Sequence, residues 1–222
     1  MPISGYRRPA DLPAVIPVFP LDGALLLPGA VLPLQIFEPR YLNMIDDAMA
    51  GDRIIGMIQT IAGGPRARPD LASVGCAGRI TSYSETGDGR YLITLTGLCR
   101  FRVAEEIAEP KPYRRVRAEF APYEADLAED DAGDFPDRAA FLALLRRYLD
   151  ARGLGVEWDA VNAAPGPALI NSLSMALPFA PVEKQALLEA SDLAARRDVL
   201  NALLEIDGAW GAEDDDEPRA LQ

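Results

Sequence analysis

Prolines at positions 17, 20, 28, 33 and 39 dominate the stretch from Val15 to Tyr41, VIPVFPLDGALLLPGAVLPLQIFEPRY. Each fixes its own φ and removes a backbone donor, and each biases the residue before it towards extended geometry. A long helix is therefore forbidden. What remains is two apolar extended segments, residues 15–19 and 31–37, joined by a turn-rich connection carrying Pro20, Asp22-Gly23 and Pro28-Gly29. The rest of the chain reads as material that packs around this pair of strands.

Downstream, Glu38-Pro39-Arg40 opens a helix with proline at a tolerated first-turn position. Its apolar stripe is Tyr41, Leu42, Ile45, Ala48 and Met49, and Gly51 is expected to close it. Residues 53–61 (RIIGMIQTI) form a β-branched buried strand, followed by a loop over 63–70 that is expected to be mobile. Two longer strands, 73–84 and 90–105, flank the hairpin signal Thr86-Gly87-Asp88-Gly89. Gly97 interrupts the second and predicts a bulge or bend. A last strand spans 113–123, with Val116, Ala118 and Phe120 on one face. Six strands, one helix and glycine-marked bends predict a small, partly closed β-barrel.

Residues 124–134 contain six acids and no base, a composition boundary read as a linker. Beyond it the apolar period changes from two to about three and a half. Helices are expected over 135–152, 158–163, 167–177 and 182–190, with Ser191-Asp192 capping a final one that turns Leu193, Leu200, Leu203 and Leu204 inward. Trp210 is expected to pack at its end. The resulting division is an irregular lead-in (1–13), a barrel (14–123), an acidic linker (124–134), a helical bundle (135–210) and a disordered acidic tail (211–222).

Charge and rare residues narrow the chemistry. The net charge is −12, of which the tail holds −4 through the acids from Glu213 to Glu217 offset by Arg219. That disfavours a general phosphate-backbone binder. Arg100, Arg102, Arg114, Arg115 and Arg117 nevertheless cluster in sequence, either as a basic patch or as solvent-facing strand positions alternating with apolar partners. No histidine is present, which removes Ser-His and Cys-His nucleophile pairs, histidine bases and histidine metal sites. Cys76 and Cys99 are too few and too far apart for a zinc framework and read as small buried hydrophobes. The pairs Glu105-Glu106 and Asp46-Asp47 are adjacent residues whose side chains diverge, so neither is an acid/base couple. No run approaches the roughly 18–20 apolar residues of a membrane span, and the first residues lack the apolar core of a secretory signal; a cytoplasmic location is expected.

Three ordered motifs then carry a resemblance. The opening stretch, IPVFPLDGALLLPGAVLPLQIFEPRY, resembles the start of the Lon substrate-binding domain, the N-terminal domain of the Lon protease. SVGCAGRITSYSETGDGRYLITLTGLCRFRV with PYRRVRAEF is similar to its later strands, and LPFAPVEKQALLEASDLAARRDVLNALLE to its helical end. The resemblance covers residues 14–209 and implies an α+β fold, a PUA-like barrel followed by a helical bundle. It implies a stand-alone, non-catalytic domain that recognises unfolded or tagged polypeptides or docks onto a protease or chaperone. It implies no cofactor, no metal and no catalytic residue: the sequence has no GxxxxGK[ST] loop, and its only lysines are Lys111 and Lys184. The protease's Ser-Lys motif is also absent, so a hydrolase reading has no residues to stand on. The alternative within the wider PUA-like class is a barrel that holds RNA or a small ligand.

Candidate polypeptide-binding residues are Leu25, Leu26, Leu27, Phe37, Arg40 and Tyr41. The three leucines form either an exposed apolar lip or an inward-packed connection. Phe37, Pro39 and Arg40 match the family's recurrent pattern. Glu38 and Arg40 at a strand-to-helix junction can equally be an ordinary structural pair.

Overall fold

The computed structural model describes residues 5–66, 68–128 and 135–210, the last four by backbone alone. The beginning of the lead-in, most of the predicted linker, the packing of Trp210 and the acidic tail lie outside the described residues. Contacts divide the chain into two units. One holds the described residues up to 128 together with 175–189, and the other holds 135–174 and 190–210.

The first unit is built on six strands: β1 (Val15–Pro20), β2 (Val31–Ile36), β3 (Ile54–Ile61), β4 (Asp70–Glu85), β5 (Tyr91–Ile107) and β6 (Arg114–Glu119). The helix α1 (Pro39–Met49) lies between β2 and β3 in sequence, with proline in its first turn as expected. The left-handed residue beyond its end is Arg53, at φ 59°, rather than Gly51. Strand order is β2-β5-β4-β3-β1-β6, and β6 pairs again with β5. The β1–β3 pair is parallel (Val18 opposite Gly56) and the others are antiparallel. Pairing thus runs round five of the strands, while β2 stands outside them with β5 as its single neighbour among the described residues. The sheet is partly ringed and not a barrel.

One long strand makes this possible. Residues 91–96 of β5 pair with β2, residues 102–107 pair with β6, and β4 runs alongside both halves. The change of partner falls where Gly97 interrupts the alternation: Gly78 opposes Gly97 and Ala77 opposes Cys99, leaving Leu98 as a bulge. Glycine is required there by close approach, since a Cβ on Gly97 would stand 2.0 Å from the Leu27 carbonyl oxygen. Gly97 also donates to the Ala30 carbonyl at 2.9 Å and accepts from the Gly29 amide at 3.0 Å.

The ring closes on Ile16, Val18, Ile54, Ile58, Phe101 and Val116, all nearly inaccessible. Phe101 fills the centre because two strand positions opposite it are glycine: a Cβ on Gly75 would meet its ring at 2.6 Å, and one on Gly56 at 2.9 Å. Cys76 and Cys99 are buried free thiols. Cys76 opposes Arg100 and Cys99 opposes Ala77, so they lie on neighbouring strands at positions of opposite parity. Burial pushes the Cys99 thiol far above its usual range.

Two features differ from the sequence reading. The last strand ends at Glu119, and Ala121–Leu127 is a 3-10 segment, so part of the predicted linker is ordered against the sheet. Its Asp126 carboxylate receives Arg100 Nε and Nη2, both at 2.8 Å, and the Arg100 amide at 3.0 Å. The helix α5 (Pro181–Glu189) belongs by its contacts to the first unit, although its periodicity groups it with the other helices. Arg100 Nη1 donates to the Leu188 carbonyl near its C-terminal end at 3.1 Å. Lys184, Gln185 and Gln59 fasten its other turns. Lys184 Nζ reaches the Gly23 and Met175 carbonyls, Gln59 Nε2 reaches the Pro181 carbonyl and Gln185, and Gln185 Nε2 reaches the Val74 carbonyl.

The second unit contains α2 (Arg138–Arg152), α3 (Trp158–Ala163), most of α4 (Gly166–Ala176) and α6 (Leu193–Trp210). Phe141, Leu145, Tyr148 and Leu149 are buried on α2, as are Leu169, Ile170 and Leu173 on α4 and Leu200 and Leu204 on α6, whereas Leu144 on α2 and Leu193 and Leu203 on α6, all expected on the inward faces, are half-buried. The helix α2 begins at Arg138 rather than at Phe135, and Gly153 ends it at φ 61°. Arg138 Nη2 donates to the Val161 and Ala164 carbonyls at 2.9 and 2.8 Å, gathering the carbonyl end of α3.

The side chains of Arg100 and Asp126 are 4% and 10% exposed, so either one without the other is a buried uncompensated charge. Arg100→Leu alone is expected to cost about 3–5 kcal/mol, with the Arg100→Leu/Asp126→Leu pair much closer to the parent. Urea midpoints of the three proteins measure this.

Candidate functional site

Two surfaces of the first unit can engage a partner. The first follows from β2 having a free edge. The Gly97 amide bonds to the Ala30 carbonyl, and alternation along the antiparallel pair then directs the backbone of Leu32 and Leu34 towards β5. The backbone polar groups of Val31, Pro33 and Gln35 face outward, and Pro33 deletes one donor from that row. Proline at such a position is a known restraint on indiscriminate strand pairing.

The side chains of the same residues form one face of the sheet. Val31, Pro33 and Gln35 stand opposite Thr96, Thr94 and Leu92, and Ser82 and Ser84 continue the face on β4. None of these is charged, in a chain where a quarter of the residues are, and the cation on this part of the face is Arg79, opposite Thr96 on β4. Val31 is 56% and Leu92 45% exposed, and Phe37, just beyond β2, is 62% exposed with the Arg90 guanidinium 6.0 Å from its ring.

The predicted site residues separate on this geometry. Leu25, Leu26 and Leu27 are 2%, 1% and 0% exposed, so the connection packs inward and the exposed lip does not form. Space is made for them by Gly78, where a Cβ would lie 2.6 Å from Leu26 Cδ2, and by Gly97 under the Leu27 carbonyl. Tyr41 is buried against Phe19, with ring centroids 4.2 Å apart. Arg40 is exposed, lies 4.6 Å over the Tyr41 ring and pairs with Glu38 at 2.8 Å. Only Phe37 and Arg40 of the six reach the surface.

The second surface is a cleft of about 470 Å³ lined by Pro20, Arg40, Tyr41, Thr60, Arg66, Arg68, Pro69, Ile107, Glu109, Lys111, Tyr113 and Arg114, among others. Arg114 is its fixed wall. Nε and Nη2 fork onto Glu106 at 2.8 and 2.6 Å while Nη1 donates to the Pro69 carbonyl at 2.6 Å. Arg68 also bonds Glu106. Arg68 and Pro69 are thereby tied to β5 and β6, and the Asp70 amide returns to the Gly63 carbonyl at 3.2 Å. Lys111 reaches Asp47 at 2.8 Å, which also accepts the Tyr113 hydroxyl at 2.5 Å.

Four of the five arginines read as a possible basic patch are taken up by such pairs, and Arg102 is exposed on β5. Arg100 is buried on Asp126, Arg114 is on Glu106, Arg115 pairs with Glu109 and Arg117 reaches Glu105 at 3.5 Å. The solvent-facing reading therefore fails for Arg100, because its side chain lies inside. Glu105 and Glu106 serve different arginines, and Asp46 accepts Tyr91 while Asp47 takes Lys111, so neither adjacent pair acts as a couple. Sequence reasoning missed the cleft. Its available signals were Arg66 and Arg68 in a Gly-Pro loop and one of only two lysines set between Pro110 and Pro112. Among the described residues no group of histidine, cysteine and carboxylate side chains could hold a metal ion, and no helix is long and apolar enough to cross a membrane.

The fold is that of Lon N-terminal domains. A Lon N-terminal domain protein from Xanthomonas campestris superposes with a TM-score of 0.60 at 24% identity, covering 85% of this chain and 97% of its own. The N-terminal domain of a Mycobacterium avium complex Lon protease gives 0.60 at 21% identity, covering 86% and 98%. The family described as the ATP-dependent protease La (LON) substrate-binding domain matches residues 15–205, and the chain belongs to it. Lon protease 2 of Myxococcus xanthus is 29% identical over 90% of this chain, and the Lon protease of Anaeromyxobacter dehalogenans 30% over 87%. The chain spans 24% and 23% of the lengths of these two curated relatives.

The Arg114 hydrogen bonds hold the Glu106 carboxyl below its ordinary value of 4.5 against the opposing effect of partial burial, with Arg68 acting in the same direction. A depressed carboxylate adds stability that is complete above the unfolded-state value and is lost as pH falls through the folded one. Arg114→Gln is expected to move the Glu106 titration upward, read by carboxyl carbon NMR. It should also bring the onset of acid unfolding to higher pH.

Proposed function

We propose that this chain is a non-catalytic polypeptide-recognition module that holds unfolded segments against the largely uncharged outer face of β2, β5 and β4 and the edge that β2 presents. The observation that carries the reading is the exposure of Val31, Leu92 and Phe37 together beside unpaired backbone. An extended client can add main-chain hydrogen bonds at such an edge while its alternate side chains rest on the apolar positions. The gap left by Pro33 limits how far that pairing runs, which suits transient capture. Membership of the substrate-binding family supports the same reading. From it follows an adaptor role, in which captured clients are presented to a protease or chaperone in the cytoplasm. Two buried free thiols suit that reducing compartment. The ion pairing of Arg100, Arg114, Arg115 and Arg117 weighs against RNA as the ligand.

The test is fluorescence anisotropy of a labelled, permanently unfolded polypeptide titrated with this protein, beside its folded counterpart. Binding is expected for the unfolded form alone. Phe37→Ser with Leu92→Ser should weaken it by about fivefold or more, since truncating an anchoring apolar contact typically costs over 1 kcal/mol. Both positions are exposed, so the fold is expected to survive. Equal affinity for folded and unfolded chains, or none for either, rejects the proposal.

A further inference from the structure

We infer that the cleft beside α1 is a subsite for carboxylate groups of a bound polypeptide, either its C-terminus or its aspartate and glutamate side chains. This rests on the polypeptide-recognition reading and names the charge of the client it favours. The cleft is a local inversion of the protein's charge. Five cations line it, Arg40, Arg66, Arg68, Lys111 and Arg114, in a chain whose net charge is −12. Their carboxylate partners number three: Glu38 for Arg40, Asp47 for Lys111 and Glu106 shared by Arg68 and Arg114. Glu109, the acid in the lining, is matched by Arg115. Among the described residues the lining itself sets these five cations against one carboxylate, Glu109, with Asp22 held behind it by Thr60 at 2.7 Å, and the cations gather on the Arg66–Arg68–Arg114 side.

The geometry favours a small planar anion. Arg114 is spent on Glu106 and the Pro69 carbonyl and is only 16% exposed, so it acts as a wall that positions its neighbours. Arg68 is 60% exposed and shares a carboxylate that Arg114 already holds by two bonds. Its remaining guanidinium donors match the fork of a carboxylate. A cleft of about 470 Å³ falls in the size range of ligand pockets, roughly 300–1,000 Å³. Pro20, Pro69 and Ile107 provide apolar surface for the chain that carries the charge. A long polyanion would meet the negative remainder of the protein, whereas one or two carboxylates match the local excess.

The experiment compares three labelled unfolded peptides of one sequence by anisotropy: one with acidic residues and a free C-terminus, one C-terminally amidated, and one with each Asp and Glu replaced by Asn and Gln. The parent protein is expected to bind the first more tightly than at least one of the others, which also tells the two carboxylate sources apart. Arg66→Ala/Arg68→Ala should weaken the acidic peptide about tenfold, the scale of one lost charge-assisted hydrogen bond. Whichever of the other two peptides lacks the preferred carboxylate should bind the parent and the arginine variants alike. Raised salt should narrow the difference between peptides. If all three peptides bind equally and the arginine variants change nothing, the carboxylate subsite is rejected while polypeptide recognition stands. If no peptide binds, both fall. Competition by inorganic phosphate at concentrations where acetate has no effect would reassign the cleft to phosphate and overturn the inference.

Discussion

A single buried guanidinium holds the first unit together. Arg100 sits on β5, just past the bulge at which that strand changes neighbour, and its side chain is almost wholly enclosed. It ties the 3-10 segment after β6 to the sheet through Asp126 and gathers a carbonyl near the end of α5 through Leu188. Three pieces of chain far apart in sequence meet on one charge. Burying an ion pair is seldom the most stabilising choice available, but a half-made pair is strongly penalised. Conformations that leave the segment or the helix elsewhere strand one of the two charges.

The same economy appears in the ring. Phe101 needs the absent side chains of Gly56 and Gly75, and the connection carrying Leu25, Leu26 and Leu27 needs Gly78 and Gly97. Large groups are seated over glycines on the neighbouring strands, so the core is specified by positions that lack a side chain as much as by those that have one. Because β5 must serve β2 before the bulge and β6 after it, the edge on β2 is a direct outcome of how the ring closes. The surface assigned to clients thus follows from the packing inside.

Much of this was legible in the sequence. Prolines around β1 and β2, the Asp-Gly hairpin, the interruption at Gly97 and the change of period near residue 135 each report a local backbone preference, and local preferences survive into the fold. What was not legible depended on distant partners. Asp126 reads as one acid among six until Arg100 is placed beside it, and α5 reads as one more helix of a bundle until its glutamine and lysine contacts with the sheet side are known. The leucines at 25–27 have the composition of an exposed lip. They can equally be read as an inward-packed connection, and the glycines opposite them, on β4 and β5, decide for that reading. The cleft shows the same limit, because its cations come from α1, from the loop before β4, from the connection between β5 and β6 and from the start of β6.

The burial of Lys184 has a consequence for how the protein can be probed. Its ammonium is enclosed by two carbonyls, and desolvation lowers its proton affinity, but it has little access to solvent. The sequence contains one other lysine, Lys111, whose side chain is 43% exposed at the rim of the cationic cleft. Lysine-directed reagents therefore find one side chain that they can reach. A spectroscopic label or short cross-linker attached there reports on the cleft itself, with no second reachable lysine side chain to compete.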